Sequence, residues 1–518
     1  MFIRLPKSTA GRWGLALFGF AILDALSVWG WTNPLVSSAW AALLACIWLV
    51  IASRWLRLGV VLLLTELILG SFGYLFTFTY GSTRLSLRFL LFGAAFALML
   101  YRIVRNREHV IFSHPMRWWF VGVIGALVWA TGSAYVHWND FGTIVLDGNG
   151  YLYLLLLPLF LDAAQGTTRE DWLRYANWLI LPVIAWLTLR TLGLLYVFTH
   201  LFPEQLVSVY KWWRDSGLGE ITPAGGGFFR IFSQSHIYSA LAAAVGFGWL
   251  WGRLKQSNFN PKGLLYPTPY PVKSPDGDHG ASWLLPTGYT LIPLLAVVAS
   301  LSRSLWLGLA VAWLLAPVLS LKQGTARQFL KYALLSSVLV ASAAGAVLAT
   351  SRVVWPLPAL GAASAEAFTS RFGKGEAAGQ ARLALLEPLW FRITQHPVVG
   401  SGFGTTVLYY STDPRAVKST AGGSGYVNTY ALEWGYLDFW LKLGLVGLLV
   451  FLGFLWQPWW KGVKLWRQGE AVGLLVLALT ALYVTHVTTP YLNHPLGLGA
   501  VLVCIALLLA SPQPSSVI

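Results

Sequence analysis

The sequence is short of charge, and of negative charge above all. Asp, Glu, Lys and Arg make up 11% of its 518 residues, less than half of the roughly 25% found in soluble domains. That shortage excludes a soluble enzyme or a disordered scaffold, both of which need a charged, solvated surface. Cysteine is nearly absent. Cys46 and Cys504 each sit inside an apolar run, so there is no disulfide framework and no cysteine metal site to build. Walker A, HExxH and GxSxG patterns are missing too, which removes the motif basis for ATP-driven and hydrolase chemistry. No small-residue cleavage pattern follows the first apolar run after Arg4, Lys7 and Arg12, so a removable signal peptide is not expected.

What the chain has in abundance is apolar and aromatic surface. Hydrophobic residues reach 56%, with 28 Trp, 28 Phe and 21 Tyr, and the mean hydropathy is +0.62. Runs of about 17–25 apolar residues read as membrane helices. About fourteen can be placed, twelve to fourteen being compatible with the pattern, centred near Ala21, Leu44, Ile68, Ala95, Ile124, Leu157, Trp186, Ala243, Leu294, Val311, Val338, Leu443, Ala478 and Val501. The fold class expected is an all-α polytopic membrane protein with a large extracytoplasmic loop containing short helices.

The 36 Lys and Arg outnumber the 20 Asp and Glu, and their placement sets orientation. With a cytoplasmic N-terminus, every inside segment is basic: Arg4/Lys7/Arg12, Arg54/Arg57, Arg102/Arg105/Arg107, Arg169/Arg174, Arg253/Lys255/Lys262/Lys273, Lys322/Arg327/Lys331 and Lys461/Lys464/Arg467. The segments left outside include 32–36, 136–150, 200–229, 351–431 and 490–495. The C-terminus is also cytoplasmic in this scheme. Four parts follow: N-terminal membrane helices 1–228, core helices 229–350, a large outer loop 351–431, and C-terminal helices 432–518. The inside stretch 266–280, YPTPYPVKSPDGDHG, reads as an irregular linker. The outer loop of about 80 residues is rich enough in aromatic and apolar residues to be ordered, with a helix-like stretch at 381–393 and then HPVVGSGFGT. The working face is therefore expected outside. GSGFG at 400–404 reads as a tight turn where backbone approaches a helix or a ligand, since no strand–helix unit surrounds it.

Positive charge on the outer face is not explained by topology. Arg230 ends GGGFFR and opens the next span, Arg303 lies in SLSRSLWLGL between two spans with almost no loop, Arg88 begins a span, and Arg190 sits within one. A guanidinium matches phosphate with five donors in a planar fork. Asp24 and Glu66 offer Arg88 and Arg190 an alternative, ion pairing inside the membrane. Glu433 precedes the span at Leu443 with Asp438 about one and a half turns deeper. Either carboxylate is a candidate general base or a structural partner of an arginine. His236 is expected six residues below Arg230 on one helix, as ligand contact or packing residue, and His396 should end the loop helix before Pro397.

Three segments carry a resemblance. SLSRSLWLGL, ARLALLEPLWFRITQHPVVGSGFGT and YLDFWLKLGLVGLLVF, in that order and sidedness, resemble the spans and loop of the O-antigen ligase/polymerase superfamily of bacterial envelope glycosyltransferases; RIFSQSHIYSALA matches the arginine-bearing span before them. The resemblance covers residue 229 to about residue 455. It implies a GT-C-like, metal-independent transferase without cofactor in the bacterial inner membrane, its active face periplasmic. The enzyme would move a glycan from undecaprenyl pyrophosphate to a glycan, lipid or protein acceptor among membrane lipids, with no role for nucleic acid. Carried over, Arg230, Arg303 and Glu433 would be catalytic, and Arg88, Arg190, His236, Arg382, Arg392 and Tyr436 would bind pyrophosphate or glycan. The ligases place a histidine–asparagine pair ahead of the Tyr-Leu position. Glu433-Trp434 stands before Gly435-Tyr436-Leu437 here, which makes Glu433 the replacement base and favours a polymerase or related transferase. Two other classes fit the composition: an ion-coupled secondary transporter using Asp24, Glu66 and Arg190, and a non-enzymatic lipid-glycan flippase or assembly subunit.

Overall fold

Apolar residues around the whole circumference of a helix suit lipid or a large protein interior, and this chain's runs fold accordingly. The computed structural model describes residues 9–81, 83–105, 109–166, 169–224, 227–255, 281–320, 325–360, 377–413, 417 and 423–509. The 266–280 linker and Arg4, Lys7, Arg107, Lys262, Lys273 and Lys322 lie outside the described residues. The N-terminal helices are α1 (Thr9–Thr32), α2 (Pro34–Arg54), α3 (Leu56–Gly70), α4 (Leu87–Arg105), α5 (Arg117–Val136), α6 (Phe141–Ala164), α7 (Ala176–His200) and the shorter α8 (Pro203–Asp215). Next come α9 (His236–Lys255), α10 (Ala281–Ala299), α11 (Arg303–Val318) and α12 (Ala326–Thr350). The loop helix is α13 (Ala377–Gln395), and α14 (Gly435–Arg467), α15 (Leu475–Thr488) and α16 (Pro495–Leu508) close the chain.

All fourteen expected centres fall inside these helices, and nine helices among the described residues are long and apolar enough to cross a membrane. The start signals are local. Asn33 accepts from the Leu35 and Val36 amides ahead of Pro34 at the first turn of α2, and Thr325 and Gln328 form a reciprocal capping box on α12. Helices α1, α2, α5 and α12 leave most of their apolar surface open, as a lipid-facing ring would, whereas α6 and α15 bury most of theirs. The densest packing joins α9 to α10 and α11 to α15.

Two ends of the bundle are distinct. At one end, Trp212 Nε1 donates to Ser27 Oγ at 3.2 Å, the Phe72 amide to Gly217 O at 3.1 Å, and Leu360 N–H to Thr199 O at 2.9 Å. Three two-stranded hairpins also belong to segments read as outside or adjoining them: β1 (Thr77–Tyr80) with β2 (Thr83–Ser86), β3 (Glu220–Pro223) with β4 (Phe229–Phe232), and β5 (Val407–Tyr410) with β6 (Tyr426–Thr429). Segments read as inside meet one another instead: Arg102 pairs with Asp162 at 2.5 Å, and Gln328 donates to Leu254 O at 3.1 Å. The alternation inferred from basic loops thus recurs as contacts.

Two expectations need correction. The stretch 136–150 is not an open loop. It is helical from Phe141, because Asp140 caps that helix through the Thr143 amide. The span at Leu443 is not continuous either. Gly444 has φ +71° and ψ 177°, which breaks the hydrogen-bond ladder of α14. The loop at 397–404 repairs it: Ser401 N–H donates to Leu441 O at 2.7 Å, Gly402 N–H to Lys442 O at 3.1 Å, and Leu445 N–H to Pro397 O at 2.9 Å. Backbone can approach backbone this closely only without side chains, and a Cβ on Gly402 would stand 2.2 Å from the Ala134 nitrogen. Gly402 and Gly423 both have positive φ, +81° and +65°, but Gly423 faces open space. Gly402→Ala should therefore destabilise the purified protein by at least about 2 kcal/mol through crowding plus strain, and Gly423→Ala by about 1 kcal/mol through strain alone. Thermal unfolding in detergent checks this, and equal midpoints for the two variants would contradict the packing described.

Candidate active site

Strand β4 carries Arg230, whose Nε donates to the Ser300 carbonyl at 2.8 Å. Ser300 belongs to the short turn between α10 and α11, where Leu301 has φ +45°. Serines make that turn possible. Ser300 Oγ donates to Val297 O at 2.6 Å and accepts from the Ser302 amide at 3.3 Å, so the hydroxyl satisfies backbone groups that the turn frees. Arg303 is the first residue of α11. One guanidinium is thus fixed on the turn that presents the other, at a helix N-terminus whose dipole is itself positive. The far wall comes from α15 and the connector after it: Thr485 Oγ1 donates to Ser304 O at 3.2 Å, and Thr489 Oγ1 bonds Ser304 Oγ at 2.9 Å. Arg230 also acts electrostatically on Tyr491 in that connector and lies over the Phe232 ring at 4.4 Å.

His236 does not share a helix with Arg230 as expected. Arg230 is on a strand, and α9 begins at His236, because Arg230 pairs across the hairpin opposite Thr222. His236 is fully buried. Its Nδ1 accepts from the Ser233 amide at 3.2 Å, which leaves Nε2 to donate to Thr191 Oγ1 at 2.9 Å. Both nitrogens are occupied within the protein. Arg88 forms a two-pronged pair with Glu66 at 3.0 and 3.1 Å, and Arg190 bonds Asp24 at 3.1 Å and Leu69 O at 3.0 Å. The intramembrane acids offered as alternative partners are the ones these two arginines take.

Glu433 stands just before α14 with its side chain half exposed, and its ion-pair partner among the described residues is Arg382 of α13. Trp434 Nε1 donates to Arg382 O at 2.9 Å, which locks the loop helix to the entry of α14. Tyr409 lies close by: its hydroxyl pKa is raised by burial and then by the Glu433 and Asp413 carboxylates. Arg392 bonds Gln395 on its own helix, and the Tyr436 hydroxyl donates to Tyr483 O at 3.1 Å between α14 and α15. His396 follows the end of α13 as expected, its ring 4.3 Å from that of His137. Burial first, then His137 and Arg392, pulls its pKa down. The structure therefore bonds Arg230 to the turn that precedes Arg303 and ties Glu433 to Arg382.

Asp438, read as a candidate base or the partner of an arginine, pairs with a lysine instead, in a cluster whose other members the sequence reading missed. Lys442 Nζ lies 2.6 Å from Asp147 Oδ1, 2.5 Å from Asp438 Oδ1 and 3.1 Å from Tyr430 O. Asn493 Nδ2 donates to Asp438 Oδ2 at 3.3 Å, and the Gly404 amide to Asp147 Oδ2 at 2.8 Å. Asp438 and Lys442 are wholly buried. Their i, i+4 spacing in an apolar run was the available signal, whereas Asp147 was hidden in a segment read as loop.

Arg230 is thus bonded to the turn from which Arg303 opens α11, at one end of a helical bundle whose described residues include helices long and apolar enough to cross a membrane. Residues 288–452 match the profile of the O-antigen ligase family, which bears out the resemblance to the O-antigen ligase/polymerase superfamily. The matched segment includes Arg303, Arg382, the 397–404 loop, Glu433 and the break in α14, and leaves out Arg88, Arg190 and Arg230. No curated protein matches the chain. The buried cluster makes a prediction of its own. Lys442→Met removes the cation that, among the described residues, pairs with Asp147 and Asp438 and should cost about 3–5 kcal/mol, while Lys442→Met with Asp438→Leu should recover part of that loss. Thermal unfolding of both variants tests it; a double variant no more stable than the single one would contradict pairing between the two residues.

Proposed function

We propose that the chain is a GT-C-like glycosyltransferase of about fourteen membrane helices, working at the extracytoplasmic face of the bacterial inner membrane. Its donor is a glycan on undecaprenyl pyrophosphate, and its acceptor is a hydroxyl of a glycan, lipid or protein. The observation that supports this reading is the Arg230–Ser300 bond, which ties Arg230 to the turn from which Arg303 opens α11.

In the reaction, the bond between the anomeric carbon and the pyrophosphate oxygen breaks while a bond from that carbon to the acceptor oxygen forms. Negative charge grows on the leaving pyrophosphate, where Arg230, Arg303 and the α11 dipole stabilise it. The acceptor proton passes to the Glu433 carboxylate, which Arg382 orients. Arg392 and Tyr436 line the approach of the sugar chain, while His236 acts as a positioning residue beneath Arg230. Arg88 and Arg190 hold the helices behind the site through their intramembrane pairs. Those pairs also weaken the transporter reading, since the charges it relied on neutralise one another.

Arg303→Ala and Arg230→Ala should each lower glycan transfer at least about 10²-fold, and Glu433→Gln about 10²–10⁴-fold, at unchanged protein levels. Product gels from complemented cells check this, and full-length product from both Arg303→Ala and Glu433→Gln would overturn the assignment. Profiling carrier-linked glycans in cells lacking the chain separates polymerase, ligase and protein transferase by what accumulates.

A further inference from the structure

A cavity of about 330 Å³ opens between the α1–α2 turn, the β1–β2 hairpin and the end of α8. That volume lies within the range of small-molecule pockets, roughly 300–1,000 Å³. Another cavity, about 390 Å³ beside Phe229, is walled mainly by apolar side chains. Here the lining mixes chemistry: Trp31 and Tyr74 offer aromatic surface, Thr79 a hydroxyl, Arg84 a guanidinium and Asp215 a carboxylate. Ser37 and Thr77 stiffen one wall, the Thr77 amide donating to Ser37 Oγ at 2.8 Å.

The electrostatics select among ligands. Arg84 brings a guanidinium and Asp215 a carboxylate to the same walls, so an anion entering there meets a negative group as well as a positive one. Asp215 uses Oδ1 to accept from Arg214 at 3.3 Å, and among the described residues its second oxygen has no partner. Flat aromatic faces beside acceptors and donors in fixed directions suit a neutral, hydroxyl-rich ring, whose C–H face stacks while its hydroxyls bond. Position agrees. Asp215 and Ser216 run within a few residues into strand β3, whose partner strand carries Arg230. Phe72, which bonds Gly217 O, packs edge-on against His494 at 5.3 Å in the connector that also holds Tyr491.

We infer that this cavity is a sugar-binding subsite for the part of the glycan remote from the reacting sugar. The inference rests on the transfer reading above but is tested by occupancy. The photo-crosslinker p-benzoylphenylalanine in place of Tyr74, in cells making the glycan, should give a glycan-bearing adduct of the full chain. The same group at Trp138, 92% exposed at the same end of the bundle, should give none. Arg84→Gln with Asp215→Asn should weaken the Tyr74 adduct about tenfold. Arg303→Ala should abolish transfer and leave the adduct. An expressed chain without a Tyr74 adduct would overturn the subsite, as would an adduct that persists in cells lacking the glycan, which would mark a lipid headgroup instead. Normal transfer by Arg303→Ala with an intact adduct would overturn the role given to Arg303 and leave the subsite standing.

Discussion

A broken helix in apolar surroundings has few remedies, because each unpaired backbone group there costs several kcal/mol. Helix α14 breaks at Gly444, and the carbonyls of Leu441 and Lys442 and the amide of Leu445 are all satisfied by the 397–404 loop. Much else follows from that repair. It requires glycine where the two backbones touch, since a Cβ on Gly400 would stand 2.4 Å from Gly444 N and one on Gly444 2.2 Å from Val398 O. It also fixes the short helix ahead of the break, so that Lys442 turns inward to Asp147 and Asp438 and Glu433 is carried to the rim beside Arg382. The GSGFG sequence resembles a phosphate loop, yet its amides are spent on protein: Gly404 N–H goes to Asp147 and Gly402 N–H to Lys442 O.

The spare charge in this chain is distributed by the same economy. Charges buried among the helices occur as partnered groups: Arg88 with Glu66, Arg190 with Asp24, and Lys442 between two carboxylates. Removing one member of such a group leaves the other unpaired in a poor solvent, which is why the sequence holds so few. Arg230 is bound differently. Its Nε bonds the Ser300 carbonyl, a contact that orients the guanidinium on the turn ahead of α11.

The sequence reading succeeded where one physical rule dominates. Long apolar runs located the helices, since hydrophobicity alone decides burial in lipid, and basic loops sorted the two ends. Asp24 and Glu66 were correctly offered to Arg88 and Arg190 as partners because few other acids lie in apolar runs. The reading failed where backbone geometry or long-range contact decides. Arg230 was put at the head of a helix, since GGGFFRIF reads as apolar whether it is strand or helix. The break at Gly444 sits in LKLGLVG, where nothing local distinguishes a tolerated glycine from a hinge. Asp147 was taken for a loop residue because its partner, Lys442, is almost three hundred positions away.

Much of the irregular backbone lies at one end of the bundle, whereas Gly166, Gly469 and the π-helical turn at Ala176–Ile180 lie toward the other. The three hairpins, the left-handed Ser71 and Leu301, the glycines of the 397–404 loop and the break in α14 fall in segments on the first side. Function tends to sit where a rigid scaffold displays irregular chain, and the matched O-antigen ligase segment ends its loop and begins its helix in this region. That segment brings Arg303 but not Arg230, which the β3–β4 hairpin delivers from outside it. The proposed site is therefore composite. The part recognisable as family supplies one arginine and the repaired helix, and the remaining positive charge depends on how the N-terminal half folds across the top. A change in β3–β4 would shift Arg230 without touching the matched segment, whereas a change in the Ser300 turn would shift both Arg230 and the start of α11, so on the proposed reading the hairpin is the place where what this chain accepts can vary independently of the repaired helix.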